Sequence, residues 1–340
     1  MKNIKKIILI TGFMVLAAGS TFAKPKKKVL RIATANSLTL RETGTVAVAK
    51  AEKFFEKELE KLNWDIDYSV TKGGVVLNEG LYAKEFDIGI IGDVPGITGL
   101  YNEIGVVWIG SALANSDQVI AIKKGSNIKK PEDLYGKTLA LFIGTAPHIT
   151  WANYAKYYNL DTSKINIVNL NGADSLVALE AGKVDAGIQT AASLLKMKKD
   201  GSVDVLFNTV TNPEWGGQSV IVVRKEFAKK NPDVVVAFIK ALFRARQVVQ
   251  KDPDKYYDYL SGSQIKGDVE LGREIFNIDN GKFDNLDPGL TELSLKKAQN
   301  LIDVFVEIER FPKRKDIKDF VDLTYYQKAV KQLKDENFEF

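Results

Sequence analysis

The sequence predicts an α/β protein of two lobes, each a mostly parallel sheet flanked by helices, joined by two hinge strands. The first observation is a repeat. The segments "GGVVLNEGLYAKEFDIGI" (Gly73 to Ile90) and "NGADSLVALEAGKVDAGI" (Asn171 to Ile188) share six residues at a constant offset of 98. The second observation is that a strand-like segment and a further strand–helix pair precede each copy. Each half therefore reads β-α-β-α-β, a pattern that forms parallel sheets through right-handed crossovers.

In chain order, the first half begins with the strand Val29 to Ala35 and the helix "VAVAKAEKFFEKELEKL", whose apolar residues recur near helical spacing. The second half repeats this with the strand Thr138 to Ile143 and a helix that has Pro147 in its first turn. The segments "WDIDYSV" and "INIVNL" are the strands before each repeated pattern. Chance similarity is the alternative to duplication, because Asp-x-Gly is a common turn.

Two further strand candidates, Asp117 to Lys124 and Gly217 to Lys225, flank the second half. We expect them to pair antiparallel with each other as the hinge, and the helical segments after Lys225 to return to the first lobe. The predicted division is 29–121 plus 219–340 for lobe 1 and 122–218 for lobe 2.

The N-terminus has the pattern of a secretory signal peptide, residues 1–23. Lysines precede an apolar stretch too short to span a membrane, and Thr21-Phe22-Ala23 offers a small-x-small cleavage site. A retained N-terminal anchor is the alternative. The chain has no cysteine, so it lacks both disulfides and the residue that carries a lipoprotein anchor. We therefore expect a soluble, exported protein that begins near Lys24 with the basic leader 24–28.

The charge pattern argues against nucleic-acid binding. The formal net charge is +5, but three lysines lie in the signal peptide and four in "KPKKK", so the body from Val29 onward is slightly acidic. An enzyme is also disfavoured. One histidine and no cysteine exclude the usual zinc spacings, and no Walker A, G-x-S-x-G or G-x-G-x-x-G motif occurs at a strand-to-helix corner. We predict no catalytic residue, metal or cofactor.

The candidate site lies where strands end and helices begin. Ligands of open α/β sheets sit beyond the carboxyl ends of the strands, and helix N-termini favour anions. The sequence offers several such corners, which we expect to face one cleft. The candidate substrate-binding residues are Arg41, Thr45, Gly92, Asp93, Gly144, Thr145, Ala146, His148, Gln189, Thr190 and Trp215.

Several of these residues have a second interpretation. Thr145 is a ligand contact or only a helix N-cap, and Asp93 is more readily a cap because a carboxylate repels an anion. Arg41 is an anion partner or a solvated loop residue. His148 lies in the cleft or is a structural histidine, and Trp215 lines an apolar ligand tail or simply packs.

At "GDVP", "DLYGKTLALFIGTAPH" and "LEAGKVDAGI" the chain resembles the periplasmic substrate-binding proteins of ABC importers, in the aliphatic-sulfonate, taurine and nitrate branch. The resemblance implies two α/β lobes, with two hinge strands, that close on a small anionic solute. It also implies delivery of the solute to a permease with its cytoplasmic ATPase, and a monomer. In sulfonate binders the corner matching Gly144-Thr145-Ala146 is similar to an anion contact, so Thr145 takes that role.

Two segments depart from the branch. Gln189-Thr190-Ala191-Ala192 replaces an aromatic-acidic segment, and the first loop, "NSLTLRETG", is longer and more polar than expected. The alternatives for the solute are nitrate, bicarbonate or a thiamine-pyrimidine precursor. Enzymes on the same fold are a further alternative, which the signal peptide disfavours.

Overall fold

The computed structural model describes residues 27–36, 40–262, 267–276 and 283–340. The predicted signal peptide and most of the basic leader lie outside these residues. Within them the chain forms two five-stranded sheets covered by helices, which confirms the predicted fold class.

The first sheet has the strand order β2-β1-β3-β10-β4. β1 pairs in parallel with β2 and β3, whereas β10 pairs antiparallel with β3 and β4. Four strands therefore run one way, and β10 runs against them. The strands are β1 (Lys28–Ala35), β2 (Trp64–Thr71), β3 (Ile88–Gly92), β4 (Val106–Ser116) and β10 (Gly217–Arg224).

The second sheet has the order β7-β6-β8-β5-β9 and repeats that arrangement. β6 pairs in parallel with β7 and β8, and β5 pairs antiparallel with β8 and β9. Here β5 is the strand that runs against the other four. The strands are β5 (Gln118–Lys123), β6 (Thr138–Leu141), β7 (Asn166–Asn169), β8 (Ala186–Thr190) and β9 (Val203–Asn208).

Helices cover both faces of each sheet because the strands are apolar on both sides, as parallel sheets require. The helices beside the first sheet are α1 (Gly44–Ala51), α2 (Phe54–Glu60), α3 (Gly74–Tyr82), α4 (Asp93–Tyr101), α8 (Lys225–Lys230), α9 (Pro232–Lys251), α10 (Pro253–Ser261), α11 (Val269–Phe276), α12 (Glu292–Glu307) and α13 (Thr324–Asp335). Those beside the second are α5 (Ala146–Tyr157), α6 (Gly172–Glu180) and α7 (Ala191–Lys199).

The predicted pairing of the two hinge strands is wrong. β5 lies in the second sheet and β10 in the first, and the chain passes between the two sheets elsewhere. One crossing is Asp117, between β4 and β5, and the other is residues 209–216, between β9 and β10. Both segments are apolar along their length, which is typical of strands with a neighbour on each side. Each such strand makes more backbone hydrogen bonds between two neighbours of one sheet than it would by pairing with the other segment alone. The two-lobe division stays a proposal, with its crossings at these two places.

Helix α12 contacts the end of β4, the start of β10 and the second crossing. Lys297 Nζ donates to Gly217 O at 3.0 Å and to Asn115 Oδ1, and Asn300 Nδ2 donates to Glu214 O at 3.2 Å. Outside the crossings, the ion pair Lys156–Glu307 (2.5 Å) joins α5 to the same helix. α12 is thus one element beside the first sheet that meets the second half, and α11 is another, through the ion pair Lys199–Glu274 (2.8 Å). Among the described residues, no helix combines the length and hydropathy needed to cross a membrane.

Candidate ligand-binding cleft

A cleft opens between the two sheets at the carboxyl ends of their parallel strands. Its inner chamber has a volume of about 260 Å³. The lining comes from both sides: Ala35, Gly73, Gly74, Gly92, Asp93, Pro95, Leu113, Ser116, Gly217, Gln218 and Ser219 from the first, and Gln118, Phe142, Thr145, Ala146, Pro147 and Thr190 from the second. An outer chamber of about 380 Å³ adjoins it and shares Gly73, Gly74, Pro95, Phe142 and Thr145.

Seven of the eleven predicted residues line this cleft. Gly92, Asp93, Thr145, Ala146 and Thr190 line the inner chamber. Gly144 and His148 line the outer chamber. The strand-to-helix corners of the two halves therefore face each other, as the repeat predicts.

The structure places the other four predicted residues away from both linings. Arg41 lines a separate cavity with Lys50 and Tyr259. The other three are buried in the packing of their own lobes: Thr45 in α1, Gln189 in β8 and Trp215 in the second crossing. The Trp215 ring lies 5.5 Å from that of Tyr157 and 5.8 Å from that of Phe207, which is the packing alternative.

Two helices point uncapped N-termini into the inner chamber. The N-cap residues of α3 (Gly73) and α5 (Thr145) make no side-chain capping bond, whereas α6 and α7 are capped by Asn171 and Thr190. The N-cap of α4, Gly92, makes none either, but there the Asp93 carboxylate accepts from Val94 N.

The N–H groups of the first turn of α3 thus lack a side-chain acceptor. In α5 this holds for Ala146, because Pro147 has no N–H and His148 N donates to Thr145 O at 2.9 Å. Because a helix N-terminus also carries partial positive charge, the two ends together suit an anion.

Thr145 uses its hydroxyl differently from either interpretation of the sequence. Its Oγ1 donates to Phe142 O at 2.5 Å, across the turn at Gly144, whose φ of +80° favours glycine. The capping alternative is therefore not observed. The hydroxyl proton is committed to the turn, and what the corner offers an anion is backbone N–H.

Asp93 lines the inner chamber, and the buried Lys297 lies behind the lining, where its charge influences Asp93 without a direct ion pair between the two side chains. Asp93 is 4% exposed, and its Oδ1 accepts from Val94 N at 2.8 Å. The N-cap position of α4 is Gly92, so Asp93 is the first residue of the helix and not its cap. Burial raises the pKa of Asp93 to about 7, and the Lys297 charge opposes that shift. Burial likewise lowers the pKa of Lys297, and Asp93 opposes that.

His148 is half-buried, with its ring 5.4 Å from that of Phe305 and its Nδ1 accepting from Gly144 N at 3.4 Å. Burial, assisted by the Arg310 charge, lowers the pKa of His148 to about 4. The imidazole is therefore neutral at pH 7 and supplies no positive charge to the cleft. Its position suits an apolar wall of the outer chamber.

Sequence reasoning missed several lining residues. Gly73 and Gly74 were visible as the glycine loop of the repeat, and that loop was a usable signal. Gln118 and Gln218 stand at the starts of the predicted hinge strands, but no pattern distinguished them. Lys297, which influences Asp93 from behind the lining, lies in a helix far along the chain, and only the tertiary fold brings its charge near that carboxylate. Within the described residues, no cluster of three or more His, Asp or Glu side chains suits a metal ion.

Comparisons with known proteins agree with this architecture. The chain is 31% identical over 211 residues to the taurine-binding periplasmic protein of Escherichia coli (strain K12), covering 61% of this chain and 63% of that protein. It is 25% identical over 336 residues to a putative aliphatic sulfonates-binding protein of Bacillus subtilis (strain 168), covering 96% of each. The chain thus spans less than two thirds of the first relative and nearly all of the second.

A solved structure shows the same fold. A putative periplasmic sulfonate-binding protein of a sulfonate ABC transporter from Methylobacillus flagellatus KT superposes with a TM-score of 0.76 at 22% identity. The superposition covers 91% of this chain and 96% of that one. The resemblance seen in the sequence is therefore confirmed. Residues 45–256 match the sequence profile of the NMT1/THI5 like family, and the chain belongs to that family.

Proposed function

We propose that this protein is an extracytoplasmic solute-binding protein. It captures a small anionic solute, an aliphatic sulfonate, in the inner chamber and delivers it to the permease and cytoplasmic ATPase of an ABC importer. The proposal includes export by residues 1–23, release as a soluble monomer without a lipid anchor, and a binding role without catalysis.

The observation that carries the proposal is the pair of uncapped helix N-termini, one from each lobe. α3 brings the N–H groups of its first turn and α5 brings that of Ala146 to opposite sides of one chamber, and a sulfonate has three oxygens to accept them. A ligand held by both helices would join the lobes. This is how a two-lobed binder couples capture to closure.

The size and lining of the chamber favour a small aliphatic solute. About 260 Å³ suits a compact molecule, and Phe142 is the only aromatic residue of the described lining. A thiamine-pyrimidine precursor would call for stacked rings. Nitrate and bicarbonate carry charge suited to the helix ends but no alkyl group for Leu113 and Pro95. The printed names of the relatives, taurine-binding and aliphatic sulfonates-binding, also support a sulfonate.

The residues that line the inner chamber also favour a binding protein over an enzyme. Among the described residues lining the inner chamber, Asp93 is the only titratable side chain, and its carboxylate accepts from the backbone of α4. No hydroxyl of the lining is hydrogen-bonded to a base within the described chain. Thr145 donates to a carbonyl and Thr190 is paired with Ser193. The relatives named above are binding proteins as well.

A thermal-shift screen of residues 24–340 tests the proposal. The panel contains short alkanesulfonates, nitrate, bicarbonate, amino acids and pyrimidines. A ligand at a hundredfold excess over Kd stabilises by about 2.7 kcal/mol, which is readily measured as a rise in Tm. We expect the alkanesulfonates to raise Tm. Stabilisation by nitrate or a pyrimidine alone would overturn the choice of solute, and a product formed from any panel member would overturn the binding role.

A further inference from the structure

Among the described residues that line the outer chamber, two are cationic and none is acidic. Lys72 lies between β2 and α3, and Arg310 lies just beyond the end of α12. Both residues are exposed, and within the part of the chain that the structure describes neither side chain makes an ion pair or a hydrogen bond. The described lining of the inner chamber contains no lysine or arginine. The fixed positive charge of the cleft is therefore concentrated in the outer chamber.

The end of α12 fixes the backbone at Arg310. Arg310 N donates to Phe305 O at 2.7 Å, and Phe311 N donates to the same carbonyl at 2.9 Å. Glu309 has a φ of +58°, the left-handed conformation in which many helices end. The buried rings of Phe305 and Phe311 lie 5.1 Å apart and form one wall of the outer chamber. Arg310 thus follows an anchored turn beside an aromatic wall, and its charge adds to the effect of burial in lowering the pKa of His148.

An apolar surface connects the two chambers. Pro95 and Phe142 line both of them, one from each half of the molecule. In the outer chamber, Val75 is 70% exposed and Val76 is 49% exposed, and both lie in the first turn of α3. Exposed apolar side chains grouped beside a cavity are typical of ligand contacts. This surface suits an alkyl chain that leads from the inner chamber to the outer one.

We propose that the outer chamber is a subsite for a second anionic group on the solute. The sulfonate accepts from the N–H groups of α3 and of Ala146 in the inner chamber, and an apolar chain passes Pro95 and Phe142. The far end of the chain carries a carboxylate or a second sulfonate, which pairs with Arg310 and Lys72. A guanidinium binds either group through two parallel N–H bonds. This inference rests on the proposed function and narrows its substrate to a sulfonate with an anionic group at the far end of an apolar chain.

The alternative role for these two cations is electrostatic steering, in which unpaired charges at the mouth of a cleft raise the rate at which anions arrive. Steering favours every anion, and it favours a more highly charged anion at any length. A subsite favours only a solute that is long enough to reach it. The dependence of affinity on chain length therefore distinguishes the two roles.

Calorimetric titration of residues 24–340 with two matched series of ligands tests the proposal. One series runs from ethanesulfonate to hexanesulfonate, and the other contains the α,ω-alkanedisulfonates of the same chain lengths. We expect the disulfonate to bind about fivefold or more tightly than its monosulfonate partner once the chain is long enough to leave the inner chamber. No advantage at any length, or the same advantage at every length, would overturn the inference and leave the proposed function standing. No binding of any sulfonate would overturn the proposed function itself.

Arg310→Gln and Lys72→Gln test the assigned cations, since glutamine removes the charge and keeps a polar side chain. At the best chain length, each should lower the preference for the disulfonate over the monosulfonate by about threefold. Lys313→Gln is the matched control and should leave that preference unchanged. Lys313 is also exposed and, within the described chain, without an ion pair, but it lies outside both linings. An unchanged preference in both test variants, an equal loss of affinity for both series, or the same loss of preference in the control would overturn the assignment.

Discussion

Asp87 and Asp185 make the same backbone connection in the two halves of the molecule. Asp87 N donates to Arg31 O at 2.8 Å and its Oδ2 accepts from Arg31 N at 3.0 Å. Asp185 N donates to Thr138 O at 2.9 Å and its Oδ2 accepts from Thr138 N at 2.9 Å. Each aspartate therefore fastens the tight turn after a helix to the neighbouring strand, which supports duplication as the origin of the repeat.

The two aspartates should differ in what they contribute to stability. Asp87 is also paired with Arg31 (2.8 Å) and Arg224 (2.5 Å), and its side chain is 2% exposed. Asp87→Asn leaves the poorly exposed Arg224 without its carboxylate, so we expect a loss of about 3–5 kcal/mol. Asp185→Asn keeps an oxygen for Thr138 N, and we expect a loss of about 1 kcal/mol or less. Urea unfolding measures both, and equal losses would contradict the distinction.

Gly74 and Gly172 are a second pair at the same offset, and alanine should separate them. A Cβ at Gly74 would lie 2.3 Å from Pro95 Cβ, in the wall shared by both chambers, so α3 or Pro95 must move. We expect Gly74→Ala to weaken sulfonate binding about tenfold or more. Gly172→Ala is the control, because its Cβ meets nothing closer than Gln189 Oε1 at 3.6 Å. Titration should find the sulfonate affinity of Gly172→Ala unchanged. An equal loss of sulfonate affinity in both variants would refute the argument.

The structure predicts a different effect of Thr145→Ala on ligand affinity from the one that the sequence alone predicts. A hydroxyl bonded to an anion predicts a ten- to hundredfold loss of affinity, from roughly 1.5–3 kcal/mol for such a bond. The structure commits that hydroxyl to Phe142 O. We therefore expect less than about a tenfold loss of affinity, with about 1 kcal/mol lost in stability. Thr145→Ser should restore both. A larger loss of affinity at unchanged stability would show that the hydroxyl turns to the ligand.

Stability should respond to acid through His148. Burial and Arg310 lower its folded pKa to about 4, so its contribution is present above the unfolded pKa near 6.5 and is lost as pH falls towards 4. Asp93 has the opposite sign, because its folded pKa is raised to about 7. His148→Gln removes only the first effect. Urea unfolding at pH 7.5 and pH 4.5 should show the variant gaining on the wild type in acid, and a constant difference would contradict this.

The parts of the fold that the sequence predicted are those encoded by local patterns. The strand ending at Gly92 and the helix after Thr145 follow from apolar runs, glycines and a proline in the first turn, and these signals act over a few residues. They also located much of the cleft, since strand-to-helix corners of a parallel sheet must share an edge.

The errors arose where the outcome depends on contacts between distant segments. β5 and β10 look alike as apolar runs, and only the competition among neighbours decides which sheet each joins. Arg41 has the chemistry of an anion partner, but its loop lies beside α10 and another cavity. Lys297 lies in α12, and nothing in the sequence near residue 93 indicates that its charge is close to Asp93. Charge and residue type are visible in a sequence, whereas their distance across the fold is not.

The two crossings are unequal: one is the single residue Asp117, and the other is residues 209–216. If the lobes rotate relative to each other, the rotation axis passes near the shorter connection, and the longer connection changes its conformation to accommodate the rotation. Points near Asp117, such as the floor at Gln118, then travel little, while the rim at His148 and Phe305 travels furthest. On the proposed two-lobe division, the molecule would then act as a lever with its fulcrum at the floor. A small approach of the lobes around the solute would become a larger displacement at the rim, where the proposed transport partner would distinguish a loaded protein from an empty one.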